Sequence, residues 1–162
     1  MAAGLDELER LKIRVALEDL NTAFTHHLDH NEVDALLELF VEDVFYTHGQ
    51  RSSRGKVELA QVFRNRTAAG PRTSRHLYSG LKLSIESPTR ARGTSVCMTF
   101  GQDGLPPLRP AIPILVADFE DLYVLCDDGK WRFQERHIHR IFVDPQNSGP
   151  LGQTPRRHDE TH

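Results

Sequence analysis

Polar and apolar positions change rhythm once along this chain, from a period of about 3.6 before Pro71 to alternation after it. Between Leu5 and Leu28, the residues Ile13, Leu17, Leu20, Phe24 and Leu28 recur at helical spacing among charged neighbours, which predicts a long amphipathic first helix. Val33, Leu36, Leu37 and Phe40 predict a short second helix, with Asn31 as its N-cap and Asp34 three residues on. Asp29 and His30 then form the corner of a helical hairpin. Residues 43–48 alternate as a strand, Arg51 to Gly55 carries turn chemistry, and Val57, Leu59, Val62 and Phe63 predict a third helix ahead of Ala69-Gly70-Pro71.

Beyond Pro71 the alternation predicts four longer strands near 75–87, 90–101, 111–126 and 130–143. Ser87-Pro88, the Gly- and Pro-rich stretch from Gly101 to Pro113, and Asp127-Asp128-Gly129 mark their connections, so the strands join as antiparallel hairpins. Helices followed by hairpins make an α+β domain in which three N-terminal helices cover one face of a strongly curved, antiparallel-rich sheet. Such a cone closes around a pocket that can bury a small apolar ligand and orient it with a few polar groups. The domain is expected over 5–144, and 145–162, polar and without apolar periodicity, as a mobile tail.

Composition narrows the partners. With 162 residues and 38% apolar side chains there is material for one core, and 20 basic against 23 acidic residues with no basic block give no pull toward nucleic acid or a membrane surface. The expected partners are a hydrophobic small molecule and a second or third copy of the chain. Cys97 and Cys126 sit in apolar stretches rather than at metal or redox spacing, and MAAGLDELERLK lacks the basic flank and apolar run of a signal peptide, so the expected setting is cytoplasmic.

Several polar residues could carry chemistry. Tyr46 and His48 alternate on the first strand and so point the same way. Strict alternation on the last strand puts Trp131, Phe133, Glu135, His137, His139 and Ile141 on one face, which makes His137 and His139 pocket candidates beside the core aromatics. His26 and His30 at helical spacing, and His137 and His139 as a His-x-His pair, are the patterns a metal would use, but no third ligand is specified by spacing, so neither a metal nor another cofactor is expected. Each residue also has a plainer reading: Asp29 as a turn cap, His76 as a satisfied strand-end histidine, Tyr46 and His48 as core, and His137 and His139 as a solvated face.

Strings spread along the chain carry a resemblance: Asp19-Leu20 followed by Asp29, Leu39-Phe40-Val41-Glu42-Asp43-Val44, Arg54-Gly55, Arg75-His76-Leu77, and Asp128-Gly129-Lys130-Trp131-Arg132-Phe133. Over roughly residues 8–143, in this order, they resemble the nuclear transport factor 2-like superfamily and its SnoaL-like branch, within which enzymes of the scytalone dehydratase and hexachlorocyclohexane dehydrochlorinase type place an Asp after the first helix and a His opening a strand. The resemblance implies Asp29 and His76 as a catalytic pair. His76 would take a proton from a C–H beside a leaving group, Asp29 would orient it, and Tyr46 or His48 would polarise a substrate oxygen. The pattern departs from those enzymes where Thr99, Phe100 and Gly101 stand in place of a second catalytic His, where Phe24 stands in place of a helix Lys, and in the stretch from Ala111 to Cys126, which has no cation.

Two functions follow as expectations. One is a cofactor-independent lyase (dehydratase) or an isomerase or cyclase acting on a hydrophobic cyclic or polyketide-like molecule. The other is a non-catalytic ligand-binding or assembly subunit, similar to a dioxygenase small subunit. The first needs one irregularity, because plain alternation puts His76 opposite Leu81, Leu83 and Ile85. A bulge at Ser79-Gly80 brings them to the same face.

Overall fold

The first helix starts where Asp6 and Glu9 exchange hydrogen bonds, Glu9 N to Asp6 Oδ1 at 2.7 Å and Asp6 N to Glu9 Oε2 at 3.0 Å, a capping box that satisfies two free backbone donors. In the computed structural model, which describes residues 4–146, this helix α1 runs Glu7–Asp29. Its stripe of Ile13, Leu17, Leu20, Phe24 and Leu28 is buried as the period requires. The helix stops at Asn31, whose φ of 56° is left-handed, while Glu32 N reaches back to His27 O and Asn31 N to Leu28 O. Asn31 is therefore the terminator of α1 rather than the N-cap of the next helix. That position falls to Glu32, which makes no side-chain capping bond, and α2 is the single short turn Val33–Leu37.

Strand β1 (Phe40–His48) begins three residues earlier than its alternation suggests, and Arg51–Arg54, expected as turn, pairs with it as the edge strand β2. Helix α3 (Gly55–Asn65) follows, then β3 (Arg72–Ser87), β4 (Arg90–Asp103), β5 (Leu115–Leu125) and β6 (Trp131–Val143). The order in the sheet is β2-β1-β6-β5-β4-β3. The hairpins are antiparallel as expected, but β1 lies parallel to β6, so the sheet is mixed. β5 starts four residues later than position 111, because Pro113 has no N–H to give the ladder and pairing resumes with Ile114 N to Thr99 O at 2.8 Å. The expected tail falls mainly on 147–162, outside the described residues.

Two irregularities decide which side chains look inward. In β3 the register shifts between Ser79 and Lys82, with Gly80 at φ +70°, so that Ser74, His76 and Tyr78 share the inner face with Leu81, Leu83 and Ile85. In β6 the register shifts where Leu122 pairs with Glu135 but Tyr123 pairs with Phe133, leaving Gln134 as an extra residue. This second shift reverses the expected facing: Phe133, Arg136 and Ile138 are buried, and His137 and His139 lie on the other face.

The interior therefore holds a charge. Arg136 is fully buried and forms a two-pronged pair with Asp121, Nε to Oδ1 and Nη2 to Oδ2 both at 2.8 Å, while Tyr123 donates to the same carboxylate at 2.8 Å. Asn21 of α1 accepts from Arg136 and donates to Tyr123 Oη. The guanidinium stacks against Phe24, Phe119 and Phe133, with its carbon 4.0–4.5 Å from the ring centres. Burial disfavours the charge, but Asp121 outweighs it and keeps Arg136 firmly protonated. Among the described residues no helix is long and apolar enough to cross a membrane.

Candidate functional site

Asp29 is the last residue of α1, and the hairpin turn that follows lays its side chain against the start of β3. Three donors meet this one carboxylate: Ser74 Oγ to Oδ1 at 2.9 Å, His76 Nδ1 to Oδ1 at 2.5 Å, and the His76 backbone N–H to Oδ2 at 2.9 Å. Both edges of the carboxylate are used, and only a group that accepts on both edges satisfies all three. The side chains of His76 and Asp29 are 11% and 7% exposed, so the pair is shielded yet not sealed.

The charge states follow from this environment. Burial alone raises the Asp29 carboxyl, but the hydrogen bond and charge of His76, its backbone N–H, and Ser74 outweigh that and hold it below the usual carboxylate range. For His76 burial wins: it lowers the imidazole below its ordinary value of 6.5, Asp29 opposes this, and the guanidiniums of Arg66 and Arg72 add to the lowering. An ionised Asp29 can only accept, so His76 is neutral with its proton on Nδ1. Its Nε2 makes no hydrogen bond among the described residues and carries the lone pair of a base.

The other expected residues divide into two sets. Tyr46 and His48 point inward from β1 and are buried. Tyr46 packs edge-on against Phe40 and Phe63, and burial pushes its phenol well above the usual range, so it stays neutral. It makes no hydrogen bond to Asp29 or His76, although Arg66 interacts electrostatically with both Tyr46 and Asp29. His137 and His139 do not join the site, because the Gln134 bulge turns them outward. His137 bonds Thr47 Oγ1 at 2.9 Å and Glu135 at 3.2 Å, and His139 bonds Glu120 at 3.2 Å. Of the metal patterns, His26 and His30 stack ring on ring at 4.2 Å, and the potential ligand atoms of His26, His27 and Glu32 come within 4.8 Å of one another at an outer corner where His27 already bonds Glu32 at 2.5 Å.

Three neighbours of the pair carry no signal in the sequence. Ser74 bonds the dyad directly, and Arg66, just past α3, joins Leu28 O at 2.9 Å to Ser74 Oγ at 3.2 Å. Arg72 opens β3 on the inward row that holds Ser74 and His76. Thr99 pairs opposite His76 and is buried. The deep interior is filled by the aromatics around Arg136. On the other face of the sheet from the dyad, Thr73, Arg75, Phe100 and Gln102 of β3 and β4 and Leu108 and Pro110 of the following loop wall a cleft of about 170 Å³.

Residues 9–137 match the family model of the SnoaL-like domain. No curated protein matches the chain. Among solved structures, a putative scytalone dehydratase from Novosphingobium aromaticivorans superimposes with a TM-score of 0.74 at 21% identity, covering 92% of this chain and 97% of that one. A hexachlorocyclohexane dehydrochlorinase gives 0.70 at 20%, covering 86% and 92%. A protein of unknown function with a cystatin-like fold from Nostoc punctiforme gives 0.67 at 23%, covering 94% and 100%. At these identities the structures share an architecture with this chain, the curled sheet and its helices.

Proposed function

Because the chain belongs to the SnoaL-like domain family, we propose that it is a cofactor-independent lyase or isomerase of small molecules in which His76 is the general base and Asp29 its orienting partner. One observation carries this reading: a neutral imidazole is fixed through Nδ1 by a carboxylate that is itself held on both edges, which leaves Nε2 to accept a proton. The substrate would carry a C–H beside a carbonyl. Nε2 takes that proton and the C–H electron pair moves to make a C=C bond. The electrons then expel a hydroxyl group, which leaves as water with the proton that Nε2 returns to its oxygen, or collect that proton back at another carbon. The first outcome is a dehydration and the second an isomerisation, with hydrophobic cyclic molecules of polyketide type as the substrates.

The test needs no leaving group. Enolisable cyclic ketones and β-hydroxyketones are incubated in D2O, and exchange at the carbon next to the carbonyl is followed by NMR. Faster exchange with the wild-type chain than with His76→Ala is expected, and equal rates across the panel would remove the general base.

Activity should also carry an acid limb whose midpoint lies below 6.5, since the folded chain holds His76 below that ordinary value. Removing Asp29 takes away the interaction that raises His76, so in Asp29→Asn the limb moves lower still. Stability runs the same way. Folding depresses the protonation of both groups, so the unfolded chain binds more protons as pH falls, first below 6.5 for His76 and then below 3.8 for Asp29. A urea midpoint followed from pH 7 down to pH 4 should therefore fall with pH, and a flat profile would contradict the His76 shift.

A second reading, an assembly role, is favoured by the outer face of the sheet, where Leu77, Val96, Met98 and Phe142 are exposed. A second copy covering that face is compatible with the dyad, which opens at the rim. Light scattering should report a mass above that of one chain, and Met98→Lys should lower it. A monomer at all concentrations would dismiss this reading.

A further inference from the structure

Two guanidinium groups flank the dyad, and one of them has a donor to spare. Arg66 is engaged: its Nη1 and Nη2 reach Leu28 O and Ser74 Oγ. Arg72, with a side chain only 9% exposed, gives Nη1 to Asp103 Oδ1 at 3.0 Å, but Asp103 is 89% exposed and a pair so placed contributes little. The Nε–H of Arg72 is buried and donates no hydrogen bond among the described residues. A buried N–H left without an acceptor is costly, which is a reason to look for a ligand that supplies one.

The surroundings say what kind of ligand. Burial and the repulsion of Arg72 lower Arg66 to about 10, so the two cations are close enough to oppose each other. Against them stands one buried carboxylate, Asp29, whose acceptor positions are already taken by Ser74 and His76. The region beside the base is thus short of negative charge. Gly101 of β4 makes room for the Arg72 guanidinium: a Cβ there would sit 2.9 Å from Arg72 Nη2, so any side chain would displace it.

We propose that the molecule bound at this site carries an anionic oxygen, a carboxylate or an ionised enol, which takes a hydrogen bond from Arg72 Nε on the inner face of the sheet beside His76. The proposal deepens the general-base reading and rests on it for the fate of the bound molecule. Anion binding stands apart from it. A planar guanidinium suits such a partner because its N–H groups lie in the plane of a carboxylate.

The test uses the full chain and two probes of the same shape, benzoate and benzamide. Binding is measured by titration calorimetry and by the ring-proton resonances of His76. Benzoate is expected to bind at least tenfold more tightly than benzamide and to shift His76. Arg72→Gln should reduce benzoate to the level of benzamide. Equal affinity for the two probes, or undiminished benzoate binding in Arg72→Gln, overturns the proposal, and the comparison of probes on the wild-type chain decides even if that variant does not fold. The two readings fail separately. A chain that prefers benzoate but catalyses no C–H exchange keeps the anion site and loses the base, whereas exchange with no preference for benzoate does the reverse.

Discussion

Replacing His76 by alanine is expected to lower turnover about 100- to 10,000-fold, the usual share of a positioned general base, while leaving the chain folded. Asp29→Asn should fall in the same range for a different reason. An asparagine has one acceptor oxygen where the carboxylate has two, and three donors converge here. Whichever way the amide is turned, its NH2 meets a donor: the His76 backbone N–H on one side, or Ser74 Oγ and His76 Nδ1 on the other. The second orientation drives the imidazole proton to Nε2 and destroys the base. Kinetics on any substrate found by the exchange screen, with circular dichroism to verify folding, checks both. Full turnover in either variant contradicts the dyad.

The largest effect on stability is expected at the other end of the core. Asp121→Ala leaves the fully buried Arg136 guanidinium among Phe24, Phe119 and Phe133 with Asn21 as its remaining partner, and breaking such a pair costs about 3–5 kcal/mol. In a domain of this size that is roughly 10 °C in Tm. Arg136→Met alone should cost a similar amount, because it strands the Asp121 carboxylate with Tyr123 as its donor. The double replacement Arg136→Met with Asp121→Leu should recover most of the loss, since two apolar groups of similar volume need no partner. Urea denaturation of the three variants checks this. Additive losses in the double variant would show that the pair does not act as a unit.

How far the sequence could be read depended on whether each strand kept its alternation. The stripe of α1 was legible because nothing interrupts its period, and every residue of it from Ile13 to Leu28 is buried. The facing of His76 was legible only through Gly80, since a glycine in a strand signals a bulge. In β6 the same event occurs at Gln134 without a glycine, and His137 and His139 were assigned to the wrong face. The available signal was subtler: Phe133 and Ile138 stand five apart, an odd spacing that one uninterrupted face cannot contain.

Charged residues were the other blind spot. Arg136 lies between Glu135 and His137, and Arg72 follows Pro71, so each reads as solvated. Nothing local distinguishes an arginine that a bulge turns inward from one that stays in water. Asn31 is a related case, because asparagine serves both as an N-cap and as a left-handed helix stop, and only the backbone bonds to Leu28 and His27 select the second. The dyad emerged from the resemblance together with the residue types at the helix corner and strand start. Its supports, Ser74 and Arg66, come from segments whose closeness only the fold creates.

The claim that matters most is the protonation geometry of His76, and it can be measured without a substrate. Two-bond 1H–15N correlation spectra of the imidazole, recorded across pH, report both the tautomer and the titration midpoint. A proton on Nδ1 and a midpoint below 6.5 are expected. A proton on Nε2 at neutral pH, or a midpoint above 6.5, would contradict the account.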